Sequence, residues 1–162
     1  MKTQEMPTQP ASGAFSLKRI LVPVDFSDAS SNAVEYAHRV GELTKADLIF
    51  INVIEPDGPM ALEAVPPVCS EELKANAEEN LQALVQTARS SGTRGAKSTI
   101  RSGMPAHEIV EAAKELDVDL IVIATHGYTG WKHLCIGSTA ERVVRRAPCP
   151  VFVVREKEHG FI

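Results

Sequence analysis

Asp119-Leu-Ile-Val-Ile-Ala124 runs directly into Thr125-His-Gly127-Tyr-Thr-Gly130-Trp-Lys-His-Leu-Cys-Ile-Gly137-Ser138-Thr139, and a helical pattern follows from Ala140 to Arg146. A short apolar, β-branched run of this kind suits a strand covered on both faces. Glycines punctuate the loop, and a helix opens where it ends. Strand, glycine-punctuated loop and helix start, in that order, set free backbone N–H groups where an anion can sit. A phosphate-bearing ligand is the first functional expectation.

The same alternation extends in both directions. Arg19-Ile-Leu-Val-Pro-Val24 is a strand that turns at Asp25-Phe-Ser27. Asp28 to Leu43 sets Ala33, Val34, Ala37, Val40 and Leu43 at helical spacing, with Ser27 or Asp28 as N-cap. Asp47 to Ile54 is strongly strand-like. Glu55 to Ser70 holds four prolines and a glycine and reads as a long surface loop. Glu71 to Ser90 is a helix with Leu73, Ala77, Leu81, Leu84, Val85 and Ala88 on one face, stopped near Gly92. A weaker strand spans Ala96 to Arg101. Pro105 suits the first turn of the next helix, whose inner face is Ile109, Val110, Ala113 and Leu116. Asp119 to Ala124 and Pro150 to Val154 are the fourth and fifth strands.

Five strands separated by helices of ten or more residues imply right-handed crossovers and a parallel sheet. The expected class is α/β, a doubly wound, Rossmann-like sheet. Such sheets take ligands at the carboxyl ends of their strands, where the strand order reverses. If the first and fourth strands adjoin, Pro23-Val24-Asp25 and Ala124 to Gly127 converge on one crevice. The pattern alone does not fix that adjacency.

A length of 162 residues fits one domain with a substantial core, here residues 18–156 between tails at 1–17 and 157–162. The net charge of -4 argues against a nucleic-acid partner. Arg142, Arg145 and Arg146 read as the end of a helix, where cations complement the dipole. Cys69, Cys135 and Cys149 share no metal-ligand spacing and read as reduced thiols in a cytoplasmic protein. No apolar run approaches the ~20 residues that span a bilayer, and residues 1–18 lack the apolar core of a secretory signal.

The candidate residues divide between structural and ligand roles. Gly127 and Gly137 suit turns as well as a phosphate cradle, and Gly130 serves the loop itself. Ser138 and Glu141 form Ser-x-x-Glu, a capping box that needs no ligand. Asp25 suits a turn or a cap. His126 and His133 are loop histidines with no nucleophile to partner them. Trp131 and Lys132 could cover a ligand. Cys135 lies among apolar residues as filler. No carboxylate pair, metal-ligand cluster or Gly-x4-Gly-Lys-Ser/Thr loop is present, so no catalytic or metal residue is assigned.

Taken together, Leu21-Val-Pro-Val-Asp-Phe-Ser27, Asn52-Val53, Thr125 through Gly130, Gly137-Ser138 and Ala140 through Val154 resemble the universal stress protein family, in register over roughly residues 18–155. The nucleotide-binding branch carries glycine, two residues, glycine, nine residues, glycine, then serine or threonine. Here Gly127, Gly137 and Ser138 match that pattern, and alanine stands at the first position, Ala124. The resemblance implies a sheet of order 3-2-1-4-5. It also implies an adenine nucleotide, ATP with Mg²⁺ first and AMP or cyclic AMP otherwise, held as a regulatory ligand. Asp25 would then lie beside the adenine and ribose, with Pro23, Val24 and Val53 giving walls and backbone groups to the base. Ala124, Thr125, His126, Gly127, Gly130, Gly137, Ser138 and Thr139 would wrap the remainder. A homodimer through Val151, Phe152, Val153 and Val154 is implied as well. Three alternatives stay open: a ligand-free protein-interaction module of the same fold, a slow ATP hydrolase or nucleotidyl-transfer enzyme, and a partner-binding module that recognises through the Glu55–Ser70 loop.

Overall fold

A computed structural model describes residues 16–55, 67–125 and 137–155. Five strands and four helices alternate: β1 (Arg19–Pro23), α1 (Asp28–Thr44), β2 (Asp47–Ile54), α2 (Pro67–Ser90), β3 (Ala96–Ser102), α3 (Pro105–Glu115), β4 (Leu120–Ala124), α4 (Ser138–Arg146) and β5 (Val151–Val154). The strands form one parallel sheet of order β3-β2-β1-β4-β5, as expected.

Side chains alternate across the sheet, so each face has its own core. Ile20, Val22, Leu48, Phe50 and Val122 face α1 and α2, meeting Ala33, Ala37, Leu81, Val85 and Ala88. Leu21, Ile49, Ile51, Ile121 and Ile123 face the other way, against Ala106, Ile109, Ala112 and Ala113 of α3 and Ala140 and Val143 of α4. Small alanines on the helices let them sit close to β-branched strand residues. Each fully buried Ile, Leu or Phe contributes roughly 1.5–3 kcal/mol. Among the described residues, no helix is long and apolar enough to cross a membrane.

Some boundaries differ from the sequence reading, each for a physical reason. α2 starts at Pro67, so the predicted Glu55–Ser70 loop is helical in its last residues. Proline tolerates a first helical turn, where its missing N–H has no partner to lose. Residues 56–66 of that loop lie outside the described residues. β4 begins at Leu120, because the Asp119 side chain is tied to the start of β1, its Oδ2 accepting from the amides of Lys18 and Arg19 at 2.8 and 2.9 Å. Burial acts to raise this carboxyl's pKa, but those two bonds and the nearby cations leave it below the usual value. Leu43 and Leu73, read as core-facing, are 85% and 50% exposed. Leu43 sits in the last turn of α1, and Leu73 belongs to a first stretch of α2 whose residues 71–76 are all exposed.

His38 on α1 is held against Phe50, ring centroids 6.0 Å apart, with both ring nitrogens buried and unbonded. Burial lowers its pKa from 6.5, and Glu42 offsets part of that shift. The folded state therefore prefers neutral imidazole, whereas the unfolded chain takes up the proton normally. Stability is unaffected above about pH 6.5 and falls as pH drops from there towards the lowered folded value. In acid melts, His38→Leu should flatten the decline below pH 6.5 relative to wild type; parallel curves would exclude the mechanism.

Candidate ligand site at the sheet switch point

The site begins with an unequal pairing. β1 pairs with β2 from Arg19↔Asp47 to Pro23↔Ile51, but with β4 only through Ile20↔Leu120 and Leu21↔Ile121. Beyond Leu21 the two central strands part, and the gap between them opens at their carboxyl ends. α1 crosses from β1 to one face and α4 leaves β4 on the other, which is the strand-order reversal that leaves a crevice. A cavity of about 260 Å³ occupies it. Its walls include Pro23, Val24, Asp25, Val53, Ala124, Thr125, Gly137, Ser138 and Thr139 from the sequence reading. Of the two segments expected to converge, Pro23, Val24 and Asp25 and the described Ala124 and Thr125 share its walls. His126, Gly127 and Gly130 lie outside the described residues.

On the β1 side, Val24 donates its N–H to Ile51 O at 2.9 Å, and its carbonyl accepts from the buried Asn52 Nδ2 at 2.8 Å. Its N–H is therefore committed to the sheet, so Val24 contributes a wall and no free donor. Asp25 Oδ1 accepts from Ser27 N at 3.1 Å and Ser27 Oγ at 2.6 Å, across a turn in which Phe26 holds φ 62°. Ser27 in turn caps α1, its Oγ accepting from Ser30 N at 3.2 Å. The expected turn role of Asp25 is real, and it braces a half-buried carboxylate on the cavity wall.

On the β4 side, buried Thr125 extends the strand by donating its N–H to Val154 O at 2.9 Å. Its carbonyl accepts from Gly137 N at 2.6 Å. That bond brings the start of α4 against the end of β4. Ala124 has no positive φ, so alanine fits the backbone that the family pattern gives to glycine. Gly137 has φ −55° and ψ 148°, a conformation open to any residue, so the turn itself does not demand glycine. What glycine omits is a side chain on the cavity wall.

The capping box does not form. Gly137, not Ser138, is the N-cap of α4, and no side chain caps it. Ser138 is the first helical residue and is exposed, while Glu141 pairs with Arg145 at 3.0 Å. The amides of Ser138, Thr139 and Ala140 consequently have no acceptor within the helix, and all three residues line the cavity. The macrodipole adds about half a positive charge at that end.

Several wall residues had no signal in the sequence reading: Ser30, Ile51, Glu55, Pro105, Ile109, Ile123 and Ala140. Pro105 and Ile109 lie four apart, one helical turn, so both present the same face of α3 to the cavity. Ile51, Ile109 and Ile123 are buried, which makes the inner wall apolar. Asp25 and Glu55 are the titratable groups among the described wall residues. Among the described residues, no group of three His, Cys, Asp or Glu could hold a metal ion. Cys149 is a free, half-buried thiol away from this wall, its pKa raised by burial and then by Asp119.

The switch-point cavity of this doubly wound sheet is apolar inside and ends on a helix N-terminus, the form that small-ligand sites in such sheets take. The universal stress protein family model matches residues 16–155, and this chain belongs to that family. A universal stress protein of Methanocaldococcus jannaschii is 36% identical over 141 residues, covering 86% of this chain and 82% of the relative. The structure of one from Lactobacillus plantarum is 32% identical, with TM-score 0.76, and covers 86% of this chain and 99% of its own. Two more distant structures share the fold. One universal stress protein, in complex with cAMP, is 23% identical with TM-score 0.67, covering 88% of this chain and 99% of its own. The other, from Archaeoglobus fulgidus in complex with dAMP, is 24% identical with TM-score 0.63, covering 84% and 96%.

Proposed function

We propose that this protein binds an adenine nucleotide, ATP with Mg²⁺ in the first place and AMP or cyclic AMP otherwise, as a regulatory ligand in a cytoplasmic stress response. The observation that carries the reading is the cavity itself. An apolar inner wall of Ile51, Val53, Ile109 and Ile123 suits a purine, Asp25 accepts from donors of the nucleoside, and the uncapped start of α4 receives phosphate. Thr125, Gly137, Ser138 and Thr139 hold the phosphate end, and the proposal keeps His126, Gly127 and Gly130 as nucleotide residues on the family resemblance alone. The universal stress proteins in complex with cAMP and dAMP support this reading.

The proposal includes binding without rapid turnover, and the placement of the described carboxylates supports it. Hydrolysis needs a base near the terminal phosphate. The carboxylates of the described wall, Asp25 and Glu55, follow β1 and β2, whereas the phosphate end lies at α4 beyond β4. The proposal also includes a homodimer through β5, an edge strand whose Phe152 is 36% exposed.

Melting the full-length protein with and without ligand tests the reading. ATP at ~100 times its dissociation constant should add about 2.7 kcal/mol to stability. An unmoved midpoint at millimolar ATP, AMP and cyclic AMP would favour a ligand-free interaction module instead.

A further inference from the structure

Asp25 follows β1 and Glu55 follows β2, and these strands are neighbours, Pro23 pairing with Ile51 next to their ends. Two carboxylates from adjacent strand ends therefore stand on one side of the cavity, Asp25 half-buried and Glu55 exposed at the mouth. Across β1, at the end of β4, the uncapped start of α4 stands on the opposite side. Between them the inner wall is apolar, through Ile51, Ile109 and Ile123. The cavity thus has three chemically distinct zones: apolar inside, acidic at one rim and electropositive at the other. A flat apolar ring, a hydroxylated centre and an anionic arm match these three zones.

Resting on the nucleotide reading, we propose that Glu55, acting with Asp25, makes the site selective for nucleotides whose ribose hydroxyls are free. Nucleotides carrying phosphate at the 2′ or 3′ position would be rejected. The ring enters the apolar zone and the 5′-phosphates turn to α4, so the sugar lies at the acidic rim. An ionised carboxylate can only accept hydrogen bonds, and a vicinal diol supplies two donors. A 2′- or 3′-phosphate removes a donor and sets negative charge against negative charge. A 3′,5′-cyclic nucleotide has the same two faults in milder form, having lost the 3′ O–H and gained a charged diester there. In dinucleotide-binding sheets an acidic residue after the second strand of the unit reads the ribose in this way. Glu55 occupies the matching position after β2.

The test is calorimetric titration of the full-length protein with AMP, cyclic AMP and adenosine 3′,5′-bisphosphate, in wild type and Glu55→Gln. Wild type should prefer AMP over the bisphosphate by about tenfold or more, as like charges held close in a partly wet site require. In Glu55→Gln that ratio should shrink by about tenfold, and added salt should narrow it in wild type. Cyclic AMP should gain on AMP in the variant in the same sense. Glu55 is exposed, so the variant should melt as wild type does, and Glu55→Ala gives the same readout if glutamine donates to the sugar. An unchanged ratio in both variants, with AMP still bound, overturns the role of Glu55 and leaves the nucleotide reading standing. Wild type binding none of the three overturns both.

Discussion

Replacing Ser138 with aspartate should weaken ATP binding on the order of tenfold to a hundredfold while leaving the folded protein as stable as before, or slightly more so. Ser138 opens α4 at a point where no side chain caps the helix. A carboxylate there complements the macrodipole and stabilises by about 0.3–1 kcal/mol at an exposed position. The same charge repels any phosphate drawn to the amides of Ser138, Thr139 and Ala140. A purely structural Ser138 would show only the first effect. A ligand-binding Ser138 shows both, with opposite signs. Adenosine, which lacks phosphate, should lose little affinity and so serves as the control. Full ATP affinity in a stabilised variant would place the phosphates elsewhere.

Phe152→Asp should convert the proposed dimer to a monomer, from twice 17.5 kDa to 17.5 kDa in sedimentation. β5 is the sheet edge, and Phe152 is 36% exposed with its ring 6.0 Å from Tyr36. If two copies meet along β5, this ring is covered, and a carboxylate in its place costs several kcal/mol unless paired. Each 1.4 kcal/mol is tenfold in the dissociation constant, so a shift of more than about a hundredfold is expected. Some loss of monomer stability should accompany it, because the Tyr36 contact goes too. Wild type sedimenting as a monomer at about 100 μM would mean that Arg155 and its neighbours simply guard an open edge.

How far the sequence was legible depended on the range of the physics. Strand runs such as Asp47–Ile54 were plain because near-continuous apolar residues leave few alternatives for a short segment. The doubly wound class followed from strict alternation of strands and helices, and the order 3-2-1-4-5 entered through family resemblance, not periodicity. Local competition was harder to judge. Ser138-x-x-Glu141 satisfies the capping-box pattern, yet Gly137 takes the cap and Glu141 turns to Arg145. Pro67 looked like loop and is the start of a helix.

At the site, the residues at the strand ends could be read because topology fixes where strand ends meet. Asp25, Ala124 and Gly137 therefore fell on the cavity wall. Pro105, Ile109 and Glu55 were missed for other reasons. Pro105 and Ile109 depend on how α3 lies across the sheet, which leaves no local trace, and Glu55 was read as the first residue of a surface loop. Ala124 is instructive in the opposite direction. Alanine departs from the family's glycine, but without a positive φ the change adds a methyl group and no backbone strain.

The most direct test of the nucleotide site is a two-dimensional amide NMR titration of the full-length protein with Mg²⁺-ATP. The largest shifts should fall on Asp25, Val53, Thr125, Ser138, Thr139 and Ala140, the residues that line the cavity between β1, β2 and the start of α4. Shifts gathered on α2 and β3 instead, or none at millimolar nucleotide, would contradict it.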